Sequence, residues 1–372
     1  MIALYKDFQS IDWFRCENRQ EVEPFLQVMM GGLSEKIRNI HSEVYAIRTG
    51  NWIYPMTVTT ENYDDSWIVS PYGQYVISLK DELTQYIDSR FTRSIIRSII
   101  RFLDGCIRHV KNRIIYIHNF LVSTNLYASK CEMDVEKITA FLAQEFPEHA
   151  IGFRSLNEKT ASDWIDQLKD GGYQPYGSRV IYYWHSADRM TKGQKKDHAR
   201  DRSNFKKSGL IKKEILNEID MDECERLYDK LYLQKYSPNN PQYTAHFMYE
   251  MCRNGRFDMI TLNHDTCVAF GGYFIMNDQM ATPFFGWDTD LDEKTGIYRM
   301  LSNQLYEVAR EKKILMNNSG GAGSYKKARG CQPEMEYSYI YTKHLPIKDR
   351  LNWQAIQFLT YTVGSRILWK FR

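Results

Sequence analysis

The chain has 372 residues, more than one core usually holds, and its 43% hydrophobic and 14% aromatic content excludes a disordered protein. A net charge of +3 excludes a uniformly basic or acidic binder, and no stretch approaches the roughly 20 apolar residues of a membrane span. The seven cysteines are scattered, odd in number and never spaced C-x-x-C, which points to free thiols, no metal site and a reducing, cytoplasmic setting. The first 20 residues lack a basic and then apolar leader, so no signal peptide is expected.

In chain order, "EVYAIRTGNWIYPMTVT" (43–59) and "DSWIVSPYGQYV" (65–76) read as strands, being β-branched and aromatic with turn residues between them. In the segment 78–110, Ile95, Ile96, Ile99, Ile100, Leu103, Cys106 and Ile107 recur at three- and four-residue steps and predict an amphipathic helix. A strand is predicted over 112–123, helices over 133–146 and 160–172, and a further strand over 178–186.

Between Arg189 and Lys213 there are ten Lys or Arg against two Asp, a local +8 on a chain of net +3, so the remainder carries −5. Such a concentration is the footprint of a polyanionic partner or, more simply, a solvated helix between domains. Beyond it come helices over 220–236 and 240–255, strands over 258–264, 267–277 and 279–290, a helix over 296–313, and strands over 314–319 and 334–342. The order helix–helix–β–β–β–helix–β–helix–β is visible here and, more loosely, before residue 185. It predicts an α/β (α+β) protein of two similar domains, each a central mixed sheet flanked by helices. Domain boundaries are expected at 1–186, on the acceptor side, and 187–346, opened by a basic helical linker over 189–213, with a helical tail over 347–372.

Three stretches carry a resemblance: "RDRSNFKKSGL" (200–210), "CVAFGGYFIMNDQMATPFFGWDTD" (267–290) with its following helix, and "GSYKKARGCQP" (323–333). They resemble the GNAT acyltransferase superfamily, and within it the tandem-domain Fem-type aminoacyltransferases that use aminoacyl-tRNA. The second-domain likeness spans about 150 residues. Single-domain GNAT enzymes grip the coenzyme A pyrophosphate with a glycine-rich loop. Here that place reads "LDEKTGIYRM" (291–300) and keeps only Gly296. The resemblance therefore implies an enzyme that forms an amide with a bulkier donor, aminoacyl-tRNA, on an amine acceptor that is a small molecule or a peptide-like biosynthetic intermediate, with no bound cofactor. An acyl-CoA or acyl carrier protein donor is the alternative, and a non-catalytic RNA-binding protein on the same scaffold is a second.

Amide formation from an activated ester needs a proton acceptor, oxyanion stabilisation and two aligned substrates. The resemblance places Lys326, next to Tyr325, at the donor ester, and its ammonium is the expected oxyanion stabiliser. Lys327 and Arg329, with Gly296, Arg202, Lys206 and Lys207, are expected to hold donor phosphates. "GGAGS" lacks the spacing of a P-loop. Asp288, flanked by Phe285 and Trp287, is the expected base, through desolvation raising its pKa; an ordinary turn aspartate is the plainer reading. His246 and His264 are weaker candidates. Tyr72 and Tyr75 in "SPYGQY" (70–75), with Trp287, are expected to hold the acceptor, and "KYSPNNPQYT" (235–244) reads as a lid.

Overall fold

The computed structural model describes residues 2–81, 90–186, 188–214 and 217–370. Contacts group the chain into unit 1, residues 1–179, 237–242 and 335–371, and unit 2, residues 180–236 and 243–334. This grouping differs from a single cut at 186/187, because both the chain's end and a short internal loop belong to the first unit.

Unit 1 contains β1 (Ile2–Tyr5), α1 (Arg19–Met29), β2 (Glu43–Thr49), β3 (Trp52–Thr59), α2 (Arg90–His109), β4 (Ile114–Ile117), α3 (Val135–Glu145), β5 (Ala150–Leu156), α4 (Ser162–Asp170) and most of β6 (Gln174–Trp184). Strands β1 to β4 are antiparallel neighbours. Strand β5 runs parallel to β4, and Tyr337–Tyr341 of the chain's last strand runs antiparallel to β5. The parallel step is made possible by α3, since parallel neighbours need a crossover. Asp134 starts that helix by accepting from the Lys137 N–H at 3.1 Å. One sheet face packs Tyr54, Ile115 and Phe153 against Ile138, Leu142 and Trp164. The other packs Tyr116, Tyr176 and Ile340 against Ile100, Leu103, Ile107 and Trp353.

The strand expected over 65–76 is not there. Residues 71–81 are helical, with Pro71 in the first turn and Ser70 capping it by accepting from the Gly73 N–H at 3.0 Å. Of the helix expected over 78–110, residues 82–89 lie outside the described residues. The strand expected over 112–123 stops at Ile117, because His118 and Leu121 adopt φ of 58° and 53°.

Unit 2 takes residues 180–184 of β6 and continues with α5 (Lys192–Lys207), β7 (Ile211–Lys213), α6 (Glu218–Tyr228), a π-helical turn (Asp229–Tyr236), α7 (Ala245–Arg253), β8 (Asp258–Asn263), β9 (Cys267–Met276), β10 (Gln279–Trp287), α8 (Ile297–Lys312), β11 (Leu315–Asn317), α9 (Gly323–Ala328) and the start of β12 (Gln332–Tyr341). Strands β7 to β10 are antiparallel neighbours. Strand β11 is parallel to β10 and β6 is antiparallel to β11. The β9–β10 hairpin turns on Asn277 and Asp278, both at positive φ, as a tight two-residue turn requires. Helix α8 lays Leu301, Leu305 and Ala309 on Ile260, Ala269 and Met280. After β12 the chain is helical again in α10 (Ile347–Gln357), a π-helical turn (Phe358–Gly364) and α11 (Ser365–Lys370).

Each unit thus repeats one succession of strand directions: three antiparallel steps, one parallel, one antiparallel. The protein is a mixed α/β duplication, as the order of elements in the sequence predicts.

Candidate active site

The parallel pair in unit 2 stays bonded over only three residues, Gln279–Ala281 against Leu315–Asn317. Strand β10 then bulges between Ala281 and Phe284 and runs on to Trp287, while β11 ends at Asn317. The chain leaves β11 through Ser319, Gly321 and Ala322, at φ of 58°, 73° and 48°, and enters the short α9. The loop is fastened to β6: the Asn318 N–H donates to the Tyr182 carbonyl at 2.8 Å, and the Tyr182 N–H donates to the Ser319 carbonyl at 3.2 Å. Gly323 lies so close to the Tyr182 hydroxyl that a Cβ there would overlap it.

Partly buried aromatic rings gather beside these strands. Tyr298, at the start of α8, contacts Trp287 at 5.0 Å, Phe285 at 5.7 Å and Tyr325 at 4.7 Å between ring centroids. Burial pushes both phenols up, with the neighbouring phenol adding to the rise at Tyr298, the Arg329 charge opposing it at Tyr325, and the Ser302 hydroxyl tempering each. Both therefore carry their proton at neutral pH. Tyr298 lies two residues beyond Gly296 in the sequence, and it was not singled out there because one tyrosine among 26 carries no signal.

Lys326 points inward. It is 7% exposed, and its ammonium donates to the carbonyls of Asn318 at 2.6 Å, Ser319 at 3.3 Å and Gly320 at 2.7 Å. An ammonium has three donors, and here three carbonyls of its own loop take them. In this arrangement the expected oxyanion stabiliser staples its own loop. The Arg329 guanidinium is likewise engaged within the protein. It is 5% exposed and forms a bidentate pair with the buried Asp201, at 2.8–3.1 Å, with its guanidinium 4.3 Å from the Tyr325 ring centroid. Lys327 keeps its side chain at the surface, and its carbonyl accepts from the Gln194 side chain at 3.0 Å.

Asp201, Gln194 and His198 all come from α5, the basic segment. The His198 Nε2 meets the Arg329 carbonyl at 2.9 Å, and burial keeps the ring neutral. These residues, with Phe205, form the inner side of α5. Lys192, Lys195, Lys196, Arg202, Lys206 and Lys207 lie exposed on its outer side. Arg202 reaches Glu307 at 3.5 Å. The non-basic positions at i, i+3, i+4 and i+7 were the sequence signal for this inner face.

Asp288, the expected base, sits against a cation. Partial burial pushes its carboxyl up, but the Lys230 ammonium at 2.7 Å, with the Asp290 N–H, outweighs this and holds it below the usual carboxylate range. Trp287 stands beside it with the Lys235 ammonium 5.9 Å from its ring. Gly296 begins α8 in the left-handed region, at φ of 69°.

Tyr72 and Tyr75 belong to unit 1, where both are buried. The Tyr72 hydroxyl donates to Asp104 at 2.7 Å and accepts from Arg108 at 2.8 Å. Tyr75 packs among Val76, Tyr116 and Ile340 in the core. Neither presents a surface to an acceptor. The expected lid is a docked loop: the Asn39 side chain donates to the Pro238 and Asn240 carbonyls at 3.1 and 2.9 Å, and Ser66 donates to the Asn239 carbonyl at 2.8 Å. Among the described residues no three His, Cys, Asp or Glu converge as metal ligands, and no helix is long and apolar enough to cross a membrane.

No protein-family model matches the chain, and no curated protein sequence matches it. Solved structures do resemble it. FemX aligns over 85% of this chain and 90% of its own at 9% identity, with a TM-score of 0.46. L-PGS from Bacillus licheniformis aligns over 60% of this chain and 77% of its own at 12% identity, with a TM-score of 0.45. A tandem GNAT protein from the clavulanic acid biosynthesis pathway aligns over 93% of this chain and 99% of its own at 9% identity, with a TM-score of 0.41.

Proposed function

We propose that the chain is an acyltransferase whose second unit holds an aminoacyl-tRNA donor and passes its aminoacyl group to a small amine, forming an amide. The observation that carries this reading is the pairing, in one unit, of a parted parallel strand pair lined by Trp287, Tyr298 and Tyr325 with a helix whose outer side is a row of lysines. Aromatic faces suit the unpaired bases at a tRNA's end, and lysines suit its phosphates.

In the reaction, the free amine attacks the acyl carbonyl, the C–N bond forms and the ester C–O bond breaks. The leaving oxygen takes a proton, and the attacking nitrogen loses one to water. A protonated tyrosine, Tyr298 or Tyr325, is the proton donor on hand. Lys326 contributes by fixing the loop that bounds the site, and the Asp201–Arg329 pair fixes Tyr325 to the basic helix.

Donor choice is read from salt dependence. Charged tRNA held by four or five lysines loses affinity with a slope of roughly −0.7 to −0.9 per phosphate contact in a log–log plot. Lys206→Glu with Lys207→Glu is expected to shallow that slope by about 2. A slope near zero, unchanged by the substitutions, would remove tRNA as donor and leave an acyl thioester.

A further inference from the structure

Thirteen large hydrophobic side chains among the described residues are exposed, and eight of them lie on α2 or between residues 347 and 369. The concentration has a shape. Ile95, Ile99 and Phe102 of α2 face Ala355, Phe358 and Leu359 across an open groove of about 640 Å³. Phe102 and Phe358, on its two sides, are 54% and 56% exposed. Helix α2 needs only one apolar side to cover the sheet, and Ile100, Leu103 and Ile107 supply it. Ile99 is partly buried against that core, while Ile95 and Phe102 beside it stay exposed, so the helix carries more apolar surface than the core covers.

The same elements are basic. Residues 93–109 and 347–370 hold eight Lys or Arg and two Asp. Both aspartates are engaged locally: Asp104 with Tyr72 and Arg108, and Asp349 with His109 at 3.3 Å. Arg97 and Arg101 on α2, and Lys348, Arg366 and Lys370 beyond it, are exposed.

Cations beside exposed apolar and aromatic side chains fit one kind of partner. We infer that this face of unit 1 binds the surface of a bilayer containing anionic phospholipid, with the phosphates taken by the Arg and Lys side chains and Phe102 and Phe358 dipping into the acyl boundary. A second copy of the chain is disfavoured because it would set like charges against like. The association is peripheral, since α2 is too polar to span.

The test is co-sedimentation of the full chain with phosphatidylcholine vesicles, with and without phosphatidylglycerol, over a salt series. The expected result is binding to the anionic vesicles alone, weakening with salt. Arg97→Gln with Arg101→Gln is expected to reduce partitioning about 30-fold, roughly fivefold for each charge near the surface. Phe102→Ser with Phe358→Ser is expected to reduce it about tenfold or more, with an unchanged melting temperature because both rings are exposed. Equal binding to both vesicle types, or variants that partition like the parent, would overturn the inference. So would a monomer–dimer equilibrium in sedimentation that Phe358→Ser abolishes, which would give the groove to a second copy.

Discussion

Asp201→Asn isolates the contact that ties the basic helix to the site. The native pair is bidentate at 2.8–3.1 Å, with Asp201 1% and Arg329 5% exposed. Asparagine keeps the shape and removes the charge, leaving a buried guanidinium that, among the described residues, is paired with Asp197 alone, 3.9 Å away. Breaking a buried pair from one side costs about 3–5 kcal/mol, and because Asp197 remains the lower figure applies, about 3 kcal/mol. Urea unfolding followed by tryptophan fluorescence reads this directly. In the same cycle, Arg329→Met alone strands Asp201, and the double variant Asp201→Asn, Arg329→Met is expected to recover about half of either loss, since neither charge is then orphaned. The readings separate cleanly: a loss under about 1 kcal/mol for Asp201→Asn would mean that Arg329 is solvated and available to a phosphate, and the description of the site as pinned from α5 would fail.

Three other outcomes follow from the same geometry. Lys326→Met is expected to lower stability by about 2 kcal/mol through the lost charged hydrogen bonds, with faster amide exchange over residues 319–324; unchanged exchange would return the ammonium to a substrate role. Gly323→Ala places a methyl on the Tyr182 hydroxyl and is expected to cost about 1–2 kcal/mol, most of it recovered by adding Tyr182→Phe; a loss that Tyr182→Phe leaves in place would count against the close approach. His118 is buried among Tyr54, Phe120, Tyr127 and Trp164, and burial pushes its pKa down to about 4. The unfolded chain then binds a proton below about pH 6.5 that the folded chain refuses, so stability is full above that pH and falls as pH drops toward 4, by up to about 3 kcal/mol from this group. Denaturation midpoints from pH 7 to 4.5 test it, and a flat profile would place His118 in water.

The second half of the chain was legible because its signals are local. Asn277-Asp278 between two apolar runs announces the β9–β10 hairpin, and the stripe Leu301, Leu305, Ala309 announces α8. Residues 65–76 misled because Trp67, Ile68 and Val69 look like a strand, while Ser70 and Pro71 start a helix. What local pattern does not hold is long-range pairing. Arg329 finds Asp201 128 residues earlier, and Asp288 finds Lys230 58 residues earlier. Each was read as a functional charge because its counter-ion was out of view. Similarly, nothing near residue 340 announces that the chain's last strand pairs with β5 of the first unit. Tyr325 was visible through its place beside Lys326, whereas Tyr298 was hidden by number, since 26 tyrosines offer no contrast.

The most direct measurement is transfer of a labelled amino acid from aminoacyl-tRNA to a mixture of small amines, with the products separated and weighed by mass spectrometry. The expected product is an amide that forms only with charged tRNA present, at a rate that falls by about tenfold or more with Tyr325→Phe, through loss of the phenol that protonates the leaving oxygen, and that declines with Lys206→Glu, Lys207→Glu. Turnover with an acyl thioester and none with charged tRNA would contradict the donor, and no transfer from either would contradict the reading of the site as an acyltransferase.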